Sequence, residues 1–201
     1  MYTYTFTETQ LENKEYIVVK NILSDKALKI LAPYARLLPT DKSSYNVWPK
    51  ESTNNNTAPE CFTCDVLGKD KLEIINELYN NQTLPCYKKT WLKHCDIAIQ
   101  KIPVGGFIPK HTDHCILSLT VFLSEVKGGE FWWWDHNNDK HIVNSCYNTG
   151  IISCSDTYSR GASHEVNTVE EGTRFTMQLF VFDKKNETTE KISVIWDMEN
   201  L

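Results

Sequence analysis

The residues whose types and spacing can do chemistry in this sequence are His111-Thr112-Asp113, His164 and Arg174. Side chains of an extended strand repeat every two residues, so His111 and Asp113 are expected on one face of a strand. An imidazole and a carboxylate side by side make two thirds of a facial metal site. His164, arriving from a distant strand, would complete a 2-His-1-carboxylate set, which suits non-haem Fe(II) and leaves coordination positions open for reactants. A chelating keto-acid and dioxygen can share those open positions, and a ferrous site with only one anionic ligand favours an anionic chelator. Arg174 brings a planar fork that grips a carboxylate with two charge-assisted hydrogen bonds and stays ionised when buried. Thr176 and Gln178 share its face by strand alternation, which makes the Thr176 hydroxyl a candidate for the same carboxylate. Phe175, Met177 and Leu179 then pack on the opposite, apolar face. This set points to an oxygenase using Fe(II), a keto-acid and dioxygen.

A His-x-Asp alone is common, so the elements around it carry the reading. A Gly105-Gly106 turn precedes His111, a strand follows Asp113, and His164 begins another strand after Arg160-Gly161. Gly172-Thr173 opens the longest strand-like run, Arg174 to Phe182. Further strands are expected at Tyr2–Phe6, Tyr16–Val19, Ile97–Ile102, Ile116–Leu123, Glu130–Trp134, Ile151–Cys154, Ser163–Asn167 and Ile192–Trp196. Ser24 can cap a helix from Asp25, with Ala27, Leu28, Ile30 and Leu31 on its apolar face, and Pro33 should kink or end it. Helical spacing returns at Asp70–Tyr79. The Asn- and Thr-rich stretch from Thr40 to Cys61 reads as a long loop. Two helices followed by many short strands predict a mainly β (α+β) fold, a double-sheet jelly roll with N-terminal helices supporting one sheet.

The chain has 201 residues, 41% of them hydrophobic and 23% charged, which suits one globular domain over 1–201. Its net charge of −5 provides no basic footprint, which disfavours a nucleic-acid partner. Neither a membrane-length apolar run nor a signal peptide is visible, so a soluble protein of the cytoplasm or another intracellular compartment is expected. Seven cysteines then read as free thiols. Cys61-Phe62-Thr63-Cys64 is the one CxxC; with Cys86, Cys95 or His94 as partners its spacing fits no zinc ribbon or finger. His94, His114, His136 and His141 read as surface or supporting groups, and Glu165 falls on the strand face away from His164. In Phe131-Trp132-Trp133-Trp134 alternate rings are expected to enter the core.

The stretches His111-Thr112-Asp113, Leu119–Leu123, Gly128-Gly129-Glu130-Phe131, Gly150-Ile151-Ile152, and His164-Glu165 through Gly172-Thr173-Arg174 follow one another in a known order and at roughly known spacing. The segment from Ile97 to Phe182 resembles the catalytic core of the 2-oxoglutarate- and Fe(II)-dependent dioxygenases. It is most similar to the branch holding prolyl 4-hydroxylases and procollagen lysyl hydroxylases. The resemblance implies a double-stranded β-helix core over about 97–182. It implies His111, Asp113 and His164 as iron ligands and Arg174 as the partner of the distal carboxylate of 2-oxoglutarate. It also implies hydroxylation of an unactivated C–H bond, with release of succinate and CO2, and L-ascorbate as an accessory. The substrate it suggests is a prolyl or lysyl side chain of a protein or peptide. One departure stands out: where that branch often carries a tyrosine ahead of the glycine preceding the first ligand, this chain has Ile102.

Other readings of the same residues remain open. A free amino acid or other small molecule could be the substrate. A cupin-like metal-binding protein, or a hydrolase or isomerase of that type, would use the triad with another metal and no keto-acid. Arg174 discriminates, because neither of the latter needs a fixed cation at that register.

Overall fold

The computed structural model describes residues 16–38, 61–80, 95–113, 115, 117–154 and 163–181. The expected strands at Tyr2–Phe6 and Ile192–Trp196, the loop from Thr40 to residue 60, and Cys86, His94, His114, Arg160 and Gly161 lie outside these residues. The elements run β1 (Tyr16–Lys20), α1 (Asp25–Leu37), β2 (Phe62–Asp65), α2 (Gly68–Asn80), β3 (Cys95–Ile102), β4 (Ile108–His111), β5 (Leu117–Phe122) and β6 (Lys127–Gly128). They continue with β7 (Phe131–Trp134), β8 (Lys140–Val143), β9 (Thr149–Cys154), β10 (His164–Val166), β11 (Val169–Glu171) and β12 (Arg174–Val181). All pairings among them are antiparallel. A six-stranded sheet has the order β1-β9-β5-β12-β3-β2, a four-stranded sheet the order β4-β10-β7-β8, and β11 pairs with β6. This is the jelly-roll architecture expected from the strand spacing, with both helices ahead of the long strands.

Alternation along the central strands divides the interior in two. Met177, Leu179 and Val181 of β12, Leu117, Leu119 and Val121 of β5, and Ile97 and Ile99 of β3 point to one side. There they pack with Ala27 and Leu31 of α1 and Ile74, Ile75 and Leu78 of α2. The other face of the large sheet looks onto the small sheet. Phe122, Ile151 and Tyr16 meet Phe131 and Trp133 there, and Cys61 and Ile102 meet Ile108 and Val166. The helices thus support one sheet, and the space between the sheets is left for the site.

Ser24 caps α1 as expected, accepting from the Ala27 amide at 3.2 Å, and its own hydroxyl donates to Glu77 of α2 at 2.6 Å. Pro33 does not end the helix, which continues to Leu37. Pro33 lies on the exposed face, while the turn beyond it is tied down by packing. The Tyr34 hydroxyl donates to Asp70 at 2.7 Å, and Leu38 is buried in the helix-side core. Tertiary contacts here outweigh the local penalty of a missing amide. No helix among the described residues is long and apolar enough to cross a membrane.

Candidate active site

The pairing of β10 with both β4 and β7 brings the first elements of the site together. His164 lies opposite His111 on one side and Trp133 on the other. The two imidazole rings stand 4.2 Å apart between centroids. Asp113 corrects one detail of the local expectation: β4 ends at His111, so the carboxylate comes from the segment just beyond the strand. It nevertheless turns toward both histidines. Its Oδ1 lies 3.7 Å from His111 Nε2 and its Oδ2 lies 3.4 Å from His164 Nε2. One donor atom from each of the three residues falls within 4.8 Å of the others, the single such metal-ready group among the described residues.

The donor set fits a ferrous ion. Neighbouring ligands on an octahedral ion with bonds of ~2.1 Å stand about 3 Å apart, so a modest inward movement of these side chains would close the site. Both rings present Nε2 to the shared point because the opposite nitrogen is held elsewhere. His111 Nδ1 lies 2.8 Å from the Pro109 carbonyl, and His164 Nδ1 lies 2.9 Å from the Tyr16 hydroxyl. His164 also stacks on Phe131 with centroids 5.2 Å apart. Burial, then the nearby Asp113 charge, pushes Tyr16 well above its ordinary range, so it stays a neutral phenol. The Cys115 thiol is pushed up by the same two causes in the same order and stays protonated.

Arg174, at the start of β12, is only 1% exposed. Its Nε donates to the Gly129 carbonyl at 2.9 Å, and its guanidinium lies over the Phe122 ring, 5.1 Å from the centroid. Nη1 and Nη2 are buried and have no hydrogen-bond partner among the described residues. Burial pulls its pKa down to about 10, still well above neutrality, so the group remains a cation without a carboxylate. Two orphaned, buried, charged donors are an expensive arrangement unless a ligand satisfies them. Burial likewise pushes the Cys61 thiol up to about 12, although the Arg174 charge acts in the opposite direction.

The Gly128-Gly129 motif shows why glycine is needed beside this arginine. Both residues adopt positive φ, 73° and 64°. A Cβ on Gly128 would run into the Thr168 carbonyl, and one on Gly129 would sit 3.1 Å from Arg174 Cδ and 3.1 Å from Val169 Cγ2. Gly129→Ala is therefore expected to lower stability by about 1–2 kcal/mol from the left-handed backbone. It should also displace the arginine stem and raise the requirement for a keto-acid ligand several-fold. Thermal melts and a 2-oxoglutarate titration check this; an unchanged titration would remove the cradle role.

Arg174 and the triad share one cavity between the sheets. Gln100, Thr120, Gln178 and Phe180 line it from the large sheet, and Ile108, Phe131 and Val166 from the small one. Thr176 is brought near Arg174 by alternation and is fully buried, but it is not among the lining residues, and its hydroxyl lies 3.5 Å from Gln100 Oε1. Gln178 donates to the same oxygen at 3.0 Å and does line the cavity. Ile102 is buried among Ile108, Val166 and Val169 and offers the site no hydrogen bond. Cys61 packs near Ile102 between the sheets, and Cys64 packs against the helix-side core. Phe131 and Trp133 point inward as the alternation predicted; Trp132 and Trp134 face outward beneath Lys140 and Lys110. His136 and His141 are exposed as expected, and His141 pairs with Asp135 at 2.9 Å.

No protein-family model matches the sequence, and no curated protein matches it. Solved structures do. A prolyl-4-hydroxylase from Pseudomonas putida matches with a TM-score of 0.61 at 13% identity, covering 88% of this chain and 96% of that one. A prolyl hydroxylase from Trichoplax adhaerens, in complex with a hypoxia inducible factor oxygen degradation domain peptide fragment, matches with a TM-score of 0.63 at 14% identity. That match covers 88% of this chain and 87% of the other. The viral collagen prolyl hydroxylase of Paramecium bursaria Chlorella virus-1, in complex with 2-oxoglutarate, matches at 0.56 and 16% identity over 85% of this chain and 97% of that one.

The chain has the fold of the 2-oxoglutarate–Fe(II) oxygenases. At these identities the likeness is one of fold, and the site of this oxygenase-fold protein rests on its own geometry. Sequence reading of the segment from Ile97 to Phe182 left out one residue that the oxygenase fold brings into the site. Tyr16 belongs to β1, at the edge of the large sheet, 148 positions from His164. Its only sequence signal is its place at the head of a β-branched strand.

Proposed function

We propose that this protein is a 2-oxoglutarate- and Fe(II)-dependent dioxygenase that hydroxylates an unactivated C–H bond, with a prolyl or lysyl side chain of a protein or peptide as its substrate. The observation that carries the reading is the pair of buried Arg174 nitrogens, unpartnered among the described residues, in the same cavity as the His111–Asp113–His164 triad. A metal-binding jelly roll without a keto-acid has no use for that cation. In this reading His111, Asp113 and His164 would hold the iron. Arg174 receives the distal carboxylate of 2-oxoglutarate and so orients its keto-acid end toward the metal. Thr176, on the same face of β12 as Arg174, is assigned to the same carboxylate, its hydroxyl standing 3.5 Å from Gln100 Oε1. Ile108, Phe131 and Val166 give the cavity apolar walls on the small-sheet side. The bound iron and keto-acid supply the oxidising power, using dioxygen and yielding succinate and CO2.

A peptide substrate is supported by the Trichoplax structure, whose ligand is a peptide fragment. Ascorbate is included as an accessory reductant, by resemblance. The test is succinate formation from 2-oxoglutarate by the purified protein with Fe(II), ascorbate and dioxygen, against controls lacking iron or oxygen. Prolyl- and lysyl-containing peptides and free amino acids are then screened by mass spectrometry for the gain of one oxygen. Turnover that needs both iron and oxygen is expected. Succinate absent under every condition would overturn the reaction class, and oxygen gained only by free amino acids would overturn the peptide substrate.

A further inference from the structure

We infer that Tyr16 is a positioning residue for the metal ligand His164, its hydroxyl fixing the imidazole orientation that offers Nε2 to the metal. The inference rests on the metal triad of the proposed function and names a residue outside it. The two histidines are steadied differently. His111 Nδ1 reaches a backbone carbonyl two residues away, whereas His164 Nδ1 reaches a side chain contributed by the edge strand β1. The Tyr16 ring is held by an edge contact to Phe131 at 5.1 Å and a tilted contact to Trp133 at 5.5 Å, so the hydroxyl has little freedom to leave.

A phenol can both donate and accept, and its partner's tautomer decides which. When His164 coordinates through Nε2, the ring proton is on Nδ1. Tyr16 then accepts from Nδ1–H. When Tyr16 instead donates to Nδ1, the ring proton is on Nε2 and faces Asp113, where it blocks coordination. Outer partners of this kind fix the ring orientation and raise ligand basicity, and losing them typically lowers metal affinity about 10–100-fold.

The test uses Co(II) as a probe with the full chain. Tyr16→Phe keeps the ring and its contacts with Phe131 and Trp133 and removes only the hydroxyl. Co(II) affinity by calorimetry is expected to fall about 10–100-fold with little change in the thermal melt. In the proton NMR spectrum of the Co(II)-loaded protein, the exchangeable imidazole signal of His164 should broaden or vanish in this variant. That of His111 should persist, a split that a general loosening of the fold would not produce. Equal affinity and equal N–H exchange in wild type and Tyr16→Phe would overturn the inference while leaving the proposed function intact. A wild-type protein that binds no divalent cation would overturn the proposed function itself. Should Tyr16→Phe fail to fold, the wild-type protein carries the test. In its Co(II) form the His164 Nδ1–H signal is expected to exchange slowly with water, held by the Tyr16 oxygen, and a His164 signal that exchanges rapidly while that of His111 persists would overturn the inference.

Discussion

Alanine in place of His111 or Asp113 is expected to abolish Fe(II)-dependent turnover of 2-oxoglutarate while leaving the protein folded. The two effects separate because of where the side chains sit. His111 is the last residue of its strand and Asp113 lies beyond it, with side chains 21% and 20% exposed, so neither is a large part of a core. Removing either leaves no deep cavity, and the change in stability should stay near the range of about ±0.5 kcal/mol found for peripheral positions. For metal binding the loss is much larger. Asp113 is the one anionic donor of the set, facing both imidazoles, and without it two neutral nitrogens must hold a hard, hydrated cation. Without His111 the facial arrangement falls to two donors. Succinate formation should drop to the no-enzyme background in both variants, with melting curves close to wild type. Ferrous binding and full activity surviving in either one would remove that residue from the site.

Replacing Arg174 should have opposite effects on keto-acid use and on the stability of the ligand-free protein. A charge-assisted pair of hydrogen bonds to a carboxylate contributes roughly 1.5–3 kcal/mol, so Arg174→Ala should raise the KM for 2-oxoglutarate roughly ten- to hundredfold. Stability changes the other way when volume is kept. Wild type buries a guanidinium whose Nη1 and Nη2 have no partner among the described residues, which burdens the fold in the absence of ligand. Exchanging a buried charge for an apolar group of similar volume is often neutral or stabilising. Arg174→Met is therefore expected to melt at or above the wild-type temperature without 2-oxoglutarate. Saturating 2-oxoglutarate with a redox-inert divalent metal should raise the wild-type melting temperature, by linkage worth about 2.7 kcal/mol at a hundredfold excess over Kd. In Arg174→Met that shift should be largely lost. An unchanged KM, or an equal thermal shift in both proteins, would take Arg174 out of the keto-acid site.

Much of the architecture could be read from neighbouring residues because it follows from local periodicity. The alternation from Arg174 to Val181 places the arginine on the cavity face and Met177, Leu179 and Val181 on the helix side, and Ser24 marks the start of α1 through its own hydroxyl. His164 opens a strand, as its place after Arg160-Gly161 predicted. Motif order then supplied the grouping of His111, Asp113, His164 and Arg174, which spacing alone does not provide. Departures arose wherever distant contacts overrule local preference. Pro33 stays inside a helix because Tyr34 and Leu38 are anchored beyond it, and Asp113 reaches the triad from outside the strand that carries His111.

Which groups stand around the candidate site was decided by tertiary structure alone. That Thr176 turns to Gln100, that Gly129 presents its carbonyl to Arg174, and that Tyr16 meets His164 across 148 positions are consequences of strand order and register. Periodicity tells a side chain which face to take, because that depends on backbone geometry a few residues long. It does not tell that face what it will meet, because the partner is chosen by hydrogen-bond pairing between strands far apart in the chain.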